Sequence, residues 1–282
     1  MPNAGKSTFL NAVLGEDLVI TNAKAQTTRH RIKGILNGEN HQLIFSDTPG
    51  IIQESAYKLQ DAMMGAVHQS LEDADAVLLM LDGQFPKVEL FKEYTDKISC
   101  PIVVALNKVD LITDQTLLQE TVDSVKAAFN TENVFAISAL QNFNIQGIIS
   151  TLIELSPEHP PYYDTESLTD ENVRFLVSEM IRETILTQFK KEIPYSTEVV
   201  ITEYFEEEKM DKIHATIFVE RDSQKVILLG RGGAAIKNLG IYSRKRIEAF
   251  LDKKIFLGLT VKVRKDWRKD DQQLKNFGYL KS

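Results

Sequence analysis

The residues that could do chemistry begin almost at once. Asn3-Ala4-Gly5-Lys6-Ser7-Thr8 follows Met1-Pro2, and its Gly-Lys-Ser closes a phosphate-binding loop of the form G-x-x-x-x-G-K-[ST]. In such a loop backbone amides point at phosphate oxygens, Lys6 reaches the β- and γ-phosphates, and the Ser7 hydroxyl sits on Mg²⁺. A helix starting near Phe9 adds the positive end of its dipole. Asp47-Thr48-Pro49-Gly50 read alone is a Pro-Gly turn. After a phosphate loop it gains a second meaning: Asp47 can hold Mg²⁺ through water, and the Gly50 amide can touch a γ-phosphate, so residues 50–56 sense its loss. Between these motifs, the polar stretch 25–30, Ala-Gln-Thr-Thr-Arg-His, reads as a mobile loop that offers the metal a hydroxyl. Spacing leaves Thr27 and Thr28 both open as the switch threonine; Ser7, Asp47 and Thr28 form the expected metal set.

Asn107-Lys108-Val109-Asp110 supplies a base reader. The Asp110 carboxylate can accept from guanine N1–H and N2–H₂, a donor pair that adenine lacks; a carboxylate left unpaired then rejects adenine. Asn107 can tie this loop to the phosphate loop, and the Lys108 stem can cover the base face. In Ile137-Ser138-Ala139 the small residues Ser138 and Ala139 let backbone amides approach guanine O6.

Elements must place these residues together. Apolar runs at 43–46, 76–81, 102–106 and 134–137 read as buried strands, and helical patterns separate most of them. That alternation implies β-α units and a mostly parallel sheet with helices on both faces, an α/β P-loop NTPase domain over 1–155. The motifs fall at carboxyl ends of the strands, where such sheets bind ligands. The first Gly of the loop pattern and the strand that leads into it would precede Met1, so the domain reads as N-terminally truncated.

Residues 156–172 hold three prolines without apolar periodicity and read as a linker. From 173 to 282 the order changes. A helix with one apolar stripe (Val173, Leu176, Val177, Met180, Ile181) precedes strands at 198–205 and 212–220, a short helix at 225–229, Gly230-Arg231-Gly232-Gly233, a helix to Leu251 and a strand at 257–263. That is the order of an α+β type II KH domain. Its GxxG loop lets backbone lie against the backbone of single-stranded RNA, with Arg231 on a phosphate. Lys237, Arg244, Lys245 and Arg246 extend the phosphate track. Trp267, Phe277 and Tyr279 suit packing better than stacking on bases.

Charge agrees with this division. Residues 223–282 carry 15 Lys/Arg against 5 Asp/Glu in a chain of net charge −7, the footprint of a polyanion partner. Length fits two domains, and 43 % hydrophobic residues suffice for two cores. One cysteine, Cys100, excludes a disulfide framework and suits a reducing compartment. No apolar run is long enough to cross a bilayer as a helix, and the five histidines form no ligand-spaced cluster.

The combination P-N-A-G-K-S, Q-T-T-R-H, D-T-P-G, N-K-V-D and I-S-A, followed by the KH order, resembles the Era family of translation-factor-type GTPases over the whole chain. The resemblance implies slow GTP hydrolysis with GTP/GDP and Mg²⁺. It implies binding to the 3′ end of 16S rRNA in small-subunit assembly by a cytoplasmic monomer, with peripheral association at the inner face of the cell membrane. One departure from Ras-like enzymes matters: Ile51 stands after D-T-P-G, where they carry a water-positioning Gln. An aliphatic side chain orients no water, so the catalytic residue is unassigned; Glu54 is near only in sequence. The alternative is an RNA-binding protein whose nucleotide domain is impaired by loss of the first strand.

Overall fold

A computed structural model describes residues 3–95 and 98–280. Met1 and Pro2, at the head of the phosphate-loop stretch, lie outside the described residues, as does any strand ahead of them. The chain divides into two compact units: Met1–Val19, Thr28–Ile51 and Met64–Asp170 form the first, and Ile20–Thr27, Ile52–Met63 and Glu171–Ser282 the second.

In the first unit, helix α1 (Lys6–Leu14) runs between Gly5 at φ +93° and Gly15 at φ +71°, backbone that glycine adopts without a Cβ clash. Strands β1 (Ile32–Asn37) and β2 (Gln42–Asp47) pair antiparallel, Ile32 opposite Asp47. Strands β3 (Val77–Asp82), β4 (Ile102–Asn107) and β5 (Val134–Ala136) form a separate parallel sheet in that order. Helices α2 (Lys58–Glu72), α3 (Lys92–Thr95), α4 (Gln115–Phe129) and α5 (Ile145–Leu155) intervene; α2 changes unit at Met63. Alternation along β3 and β4 feeds two cores. Met80, Val103 and Ala105 join Ile148 and Leu152 of α5, while Leu79, Leu81, Val104 and Leu106 join Val125 of α4. A strand buried on both faces is the mark of a sheet covered by helices on both sides.

Three features differ from the sequence reading. Strand β1 lies where only polar loop and an unassigned stretch were expected. The linker residues are not loose: the Tyr162 and Tyr163 amides donate to Gln42 Oε1 at 2.8 and 3.0 Å, Ile35 N donates to Leu168 O at 2.8 Å, and Lys33 pairs with Asp170 at 2.7 Å. This strap runs along β1 and is tied to the Gln42 side chain at the start of β2, and the first unit closes at Asp170. The sheet is also split. β2 pairs only with β1, and β3 only with β4, among the described residues. A cavity of about 1380 Å³ is lined by Phe9, Leu43, Phe45, Val77, Leu79 and Met80, from α1, β2 and β3.

In the second unit, α6 (Val173–Gln188) is capped by Asn172, whose Oδ1 accepts from Phe175 N at 2.9 Å. Strands β6 (Glu198–Phe205), β7 (Asp211–Val219) and β8 (Ile255–Val263) form a sheet in that order, β6–β7 antiparallel and β7–β8 parallel. Helices α7 (Asp222–Leu229) and α8 (Ala234–Leu251) flank the GxxG turn, and α9 (Asp271–Asn276) closes the unit. Its core joins Val177, Ile181 and Ile185 of α6 to Ile213, Ile217, Leu228, Leu239 and Ile247. A smaller cluster joins Leu59 and Met63 to Trp267 and Leu274, with Phe277 and Tyr279 packed on it. Trp267 is wholly buried and its Nε1 donates to Ser196 O at 3.1 Å; these aromatics pack.

Candidate functional site

The nucleotide motifs meet at the strand ends of the first unit. At the end of β2, Asp47 Oδ2 accepts from Ser7 Oγ at 2.7 Å and from Thr28 Oγ1 at 3.2 Å, and the two hydroxyls are 3.1 Å apart. Of the two threonines that spacing left open, Thr28 stands at Asp47, whereas Thr27 Oγ1 donates to Lys24 O at 2.7 Å. Asp47 Oδ1 is buried and has no hydrogen-bond partner among the described residues. Burial pushes the Asp47 carboxyl above the usual carboxylate range, against the opposing pull of the Lys6 charge. Burial also lowers the Lys6 pKa, with Asp47 opposing. Three hard oxygens, one on a carboxylate whose charge is costly to bury, suit Mg²⁺. When bound, the ion would supply charge for phosphate oxygens, held through Ser7, Thr28 and Asp47.

Asn107 is buried between the loops. Its Nδ2 donates to Ala4 O at 2.9 Å, and its Oδ1 accepts from Ala139 N at 2.8 Å. One amide therefore fixes the phosphate loop, the base-reading loop and the Ser138-Ala139 turn. Gly5 is obligatory beside it, since an added Cβ would lie 2.1 Å from Asn107 Nδ2. Lys108, at φ +68°, extends its ammonium to Asp82 Oδ2 at 2.7 Å, a partner that the sequence reading missed although Asp82 ends β3. Asp110 is exposed in the turn that follows. Thr8, Thr48 and Gly50 are partly buried, and Pro49 is buried. Ile51 packs against the core around Val77 and Leu79; Glu54 is exposed.

In the second unit, Gly230, Gly232 and Gly233 all have positive φ, at +70°, +60° and +78°. A Cβ on Gly230 would meet Ala235 Cβ at 2.6 Å, whereas Gly232 and Gly233 face open space. Crowding demands glycine at the first; backbone conformation favours it at the other two. Arg231, Lys237, Arg244 and Lys245 are exposed. Arg246 differs from the expected phosphate track: its Nη2 pairs with Glu183 Oε2 at 2.6 Å. The sequence reading also missed exposed apolar residues beside the turn, Val226 and Ile227 on α7 and Tyr242 on α8.

Comparison with known proteins follows the same division. The family described as 50S ribosome-binding GTPase matches residues 1–108, and the KH domain family matches 192–268. A GTPase Era from Nitrosomonas eutropha is 36 % identical over 281 residues, 99 % of this chain and 94 % of the relative. A solved Era variant from Aquifex aeolicus bound to GDP·AlF₄⁻ superposes with TM-score 0.94 at 33 % identity, covering 99 % of this chain and 96 % of that one. A second Era structure, in complex with MgGDPNP and nucleotides 1506–1542 of 16S ribosomal RNA, gives TM-score 0.93 at 33 % identity over 99 % and 95 % of the two chains. Similar to a GTPase Era at 36 % identity over nearly the full length of both, the chain belongs to the Era family of GTPases.

Proposed function

We propose that this GTPase uses its nucleotide state to control its hold on the 3′-end region of 16S ribosomal RNA during assembly of the small subunit. The observation that carries the reading is the Ser7–Thr28–Asp47 cluster. Thr28 directly follows residues 20–27, so a γ-phosphate and Mg²⁺ that recruit Thr28 also act on that segment. The exposed Gly230–Gly233 turn, in the most basic part of the chain, supplies the RNA grip. The site residues are Asn3 to Thr8, Asp47 to Gly50, Asn107, Lys108, Asp110, Ser138 and Ala139 for the nucleotide. Gly230 to Gly233, Lys237, Arg244 and Lys245 serve the RNA.

The protein acts in the cytoplasm as a monomer; its single cysteine is in keeping with that compartment. The basic C-terminal block supports peripheral contact with an anionic membrane face. No helix among the described residues is long and apolar enough to cross a membrane.

The test is binding of an RNA spanning 16S nucleotides 1506–1542, with the protein loaded with a GTP analogue or with GDP. The two affinities are expected to differ at least about fivefold. Gly232→Asp is expected to weaken both by about tenfold or more, with GTP turnover unchanged. Equal affinity in the two nucleotide states would sink the switch. A second reading is RNA binding without nucleotide control; among the described residues β2 and β3 share no ladder. Absence of GDP binding at micromolar concentration, with RNA binding retained, would select it.

A further inference from the structure

In the base-reading loop, the backbone of Lys108 and its side chain are placed by different means. The backbone is fixed locally. Lys108 stands at φ +68°, a left-handed conformation that residues with a Cβ seldom adopt and that persists where the surroundings dictate it. Val109 N donates to Ile137 O at 3.2 Å, Leu111 N donates to Lys108 O at 3.1 Å, and Asn107 is tied by both ends of its amide. The side chain needs something more, because a lysine stem turns freely about each of its methylene bonds. Asp82 supplies it. This residue ends β3 opposite Asn107, the last pair of the β3–β4 ladder. Its Oδ2 accepts from Lys108 Nζ at 2.7 Å, the two side chains being 22 % and 33 % exposed. Its Oδ1 accepts from Gln84 N at 3.1 Å, so the carboxylate is itself kept from turning away. The contact continues along the loop: Gly83 N donates to Asn107 O at 2.7 Å, and Gln84 Nε2 donates to Leu111 O at 3.3 Å. Gly83 permits this approach, since an added Cβ would lie 3.0 Å from Asn107 O. Residues 82 to 84 thus run beside 107 to 111, all within the first unit.

We propose that Asp82 is a positioning residue for the guanine nucleotide. It anchors the Lys108 ammonium, so the apolar stem is already ordered to cover the base face and the nucleotide does not have to order it on binding. The inference deepens the reading of Asn107 to Asp110 as the guanine site and rests on it. A division of labour follows. Asp110 reads the edge of the base, where guanine differs from other purines. The Asp82–Lys108 pair acts through the face, which guanine shares with hypoxanthine, and so sets how long the nucleotide stays rather than which base is chosen.

The experiment follows release of fluorescent GDP from the full chain, and affinities for GDP and inosine diphosphate, in the wild type, Asp82→Asn, Asp82→Glu, Lys108→Met and the double variant Asp82→Asn/Lys108→Met. Asn has one acceptor oxygen for two donors: if it keeps the Gln84 turn, it presents an amide N–H to the ammonium. Lys108→Met keeps an apolar stem and removes its anchored end. Each is expected to speed GDP release about two- to fivefold, the scale of a partly exposed ion pair, with association changed less. The double variant is expected to release GDP no faster than Lys108→Met. Asp82→Glu keeps the carboxylate and is expected to release GDP more slowly than Asp82→Asn. The ratio of GDP to inosine diphosphate affinity is expected to be unchanged in Asp82→Asn, because Asp110 still reads the edge. Lys108→Met leaves the β3 turn intact and decides the question if Asp82→Asn does not fold. Additive losses, or wild-type release in Lys108→Met, would overturn the proposal. So would a fall in the affinity ratio, which would make residues 82 to 84 a support for the whole loop. A wild-type chain that binds ADP as tightly as GDP would instead overturn the base reading on which the proposal rests.

Discussion

Asn107 shows how much one side chain carries. An amide has a donor end and an acceptor end, and here each is buried against backbone of a different loop. Asn107→Asp keeps the acceptor for Ala139 N but turns an oxygen toward Ala4 O. The loss should reach about 1–3 kcal/mol, the cost of a buried group facing the wrong partner. Thermal unfolding should show a lowered midpoint, and GDP titration at least about a tenfold loss; a variant equal to wild type in both would remove Asn107 as the tie between the loops. At this scale the sequence was informative, because Gly-Lys-Ser, Asp-Thr-Pro-Gly and Asn-Lys-x-Asp need those residue types for stated chemistry. It could not choose Thr28 over Thr27, since neighbouring hydroxyls differ only in the direction that the fold gives them. Nor did it show that Arg246 answers Glu183, a pairing across 63 positions of chain.

Elements were legible where periodicity was clean. Buried runs announced β2 to β5, and the GxxG turn between helices announced the second unit. Strand β1 was hidden because Ile-Lys-Gly-Ile-Leu-Asn interrupts its alternation with Gly34. That glycine is there for packing: an added Cβ would lie 2.6 Å from Leu10 Cδ1 of α1. Valine has the better strand propensity, yet Gly34→Val should destabilise by about 1–3 kcal/mol through overpacking. Chemical denaturation decides between propensity and space; a stabilised variant would mean that α1 yields. The burial of Glu179, Arg182 and Glu183 on α6 was not read from the sequence, because their neighbours Thr21 and Thr27 lie more than 150 positions away along the chain.

For the molecule as a whole, sequence order and spatial grouping part company. Ile20–Thr27 and Ile52–Met63 precede the second unit by more than a hundred residues and yet are grouped with it. Composition cannot reveal this, because the segments are short and their partners distant. Excising residues 1–170 as a free-standing nucleotide domain should therefore strip Leu59 and Met63 of Trp267 and Leu274, and leave Thr21 without Glu183. Such a fragment is expected to bind a hydrophobic dye that the full chain does not; dye binding equal to that of the full chain would count against the grouping.

The parallel ladder of β3, β4 and β5 is covered by apolar side chains on both faces. Amides held in such a ladder are the last to exchange with deuterium, because it opens only on global unfolding. Val103 to Leu106, at its centre, should keep their protons longest in the first unit.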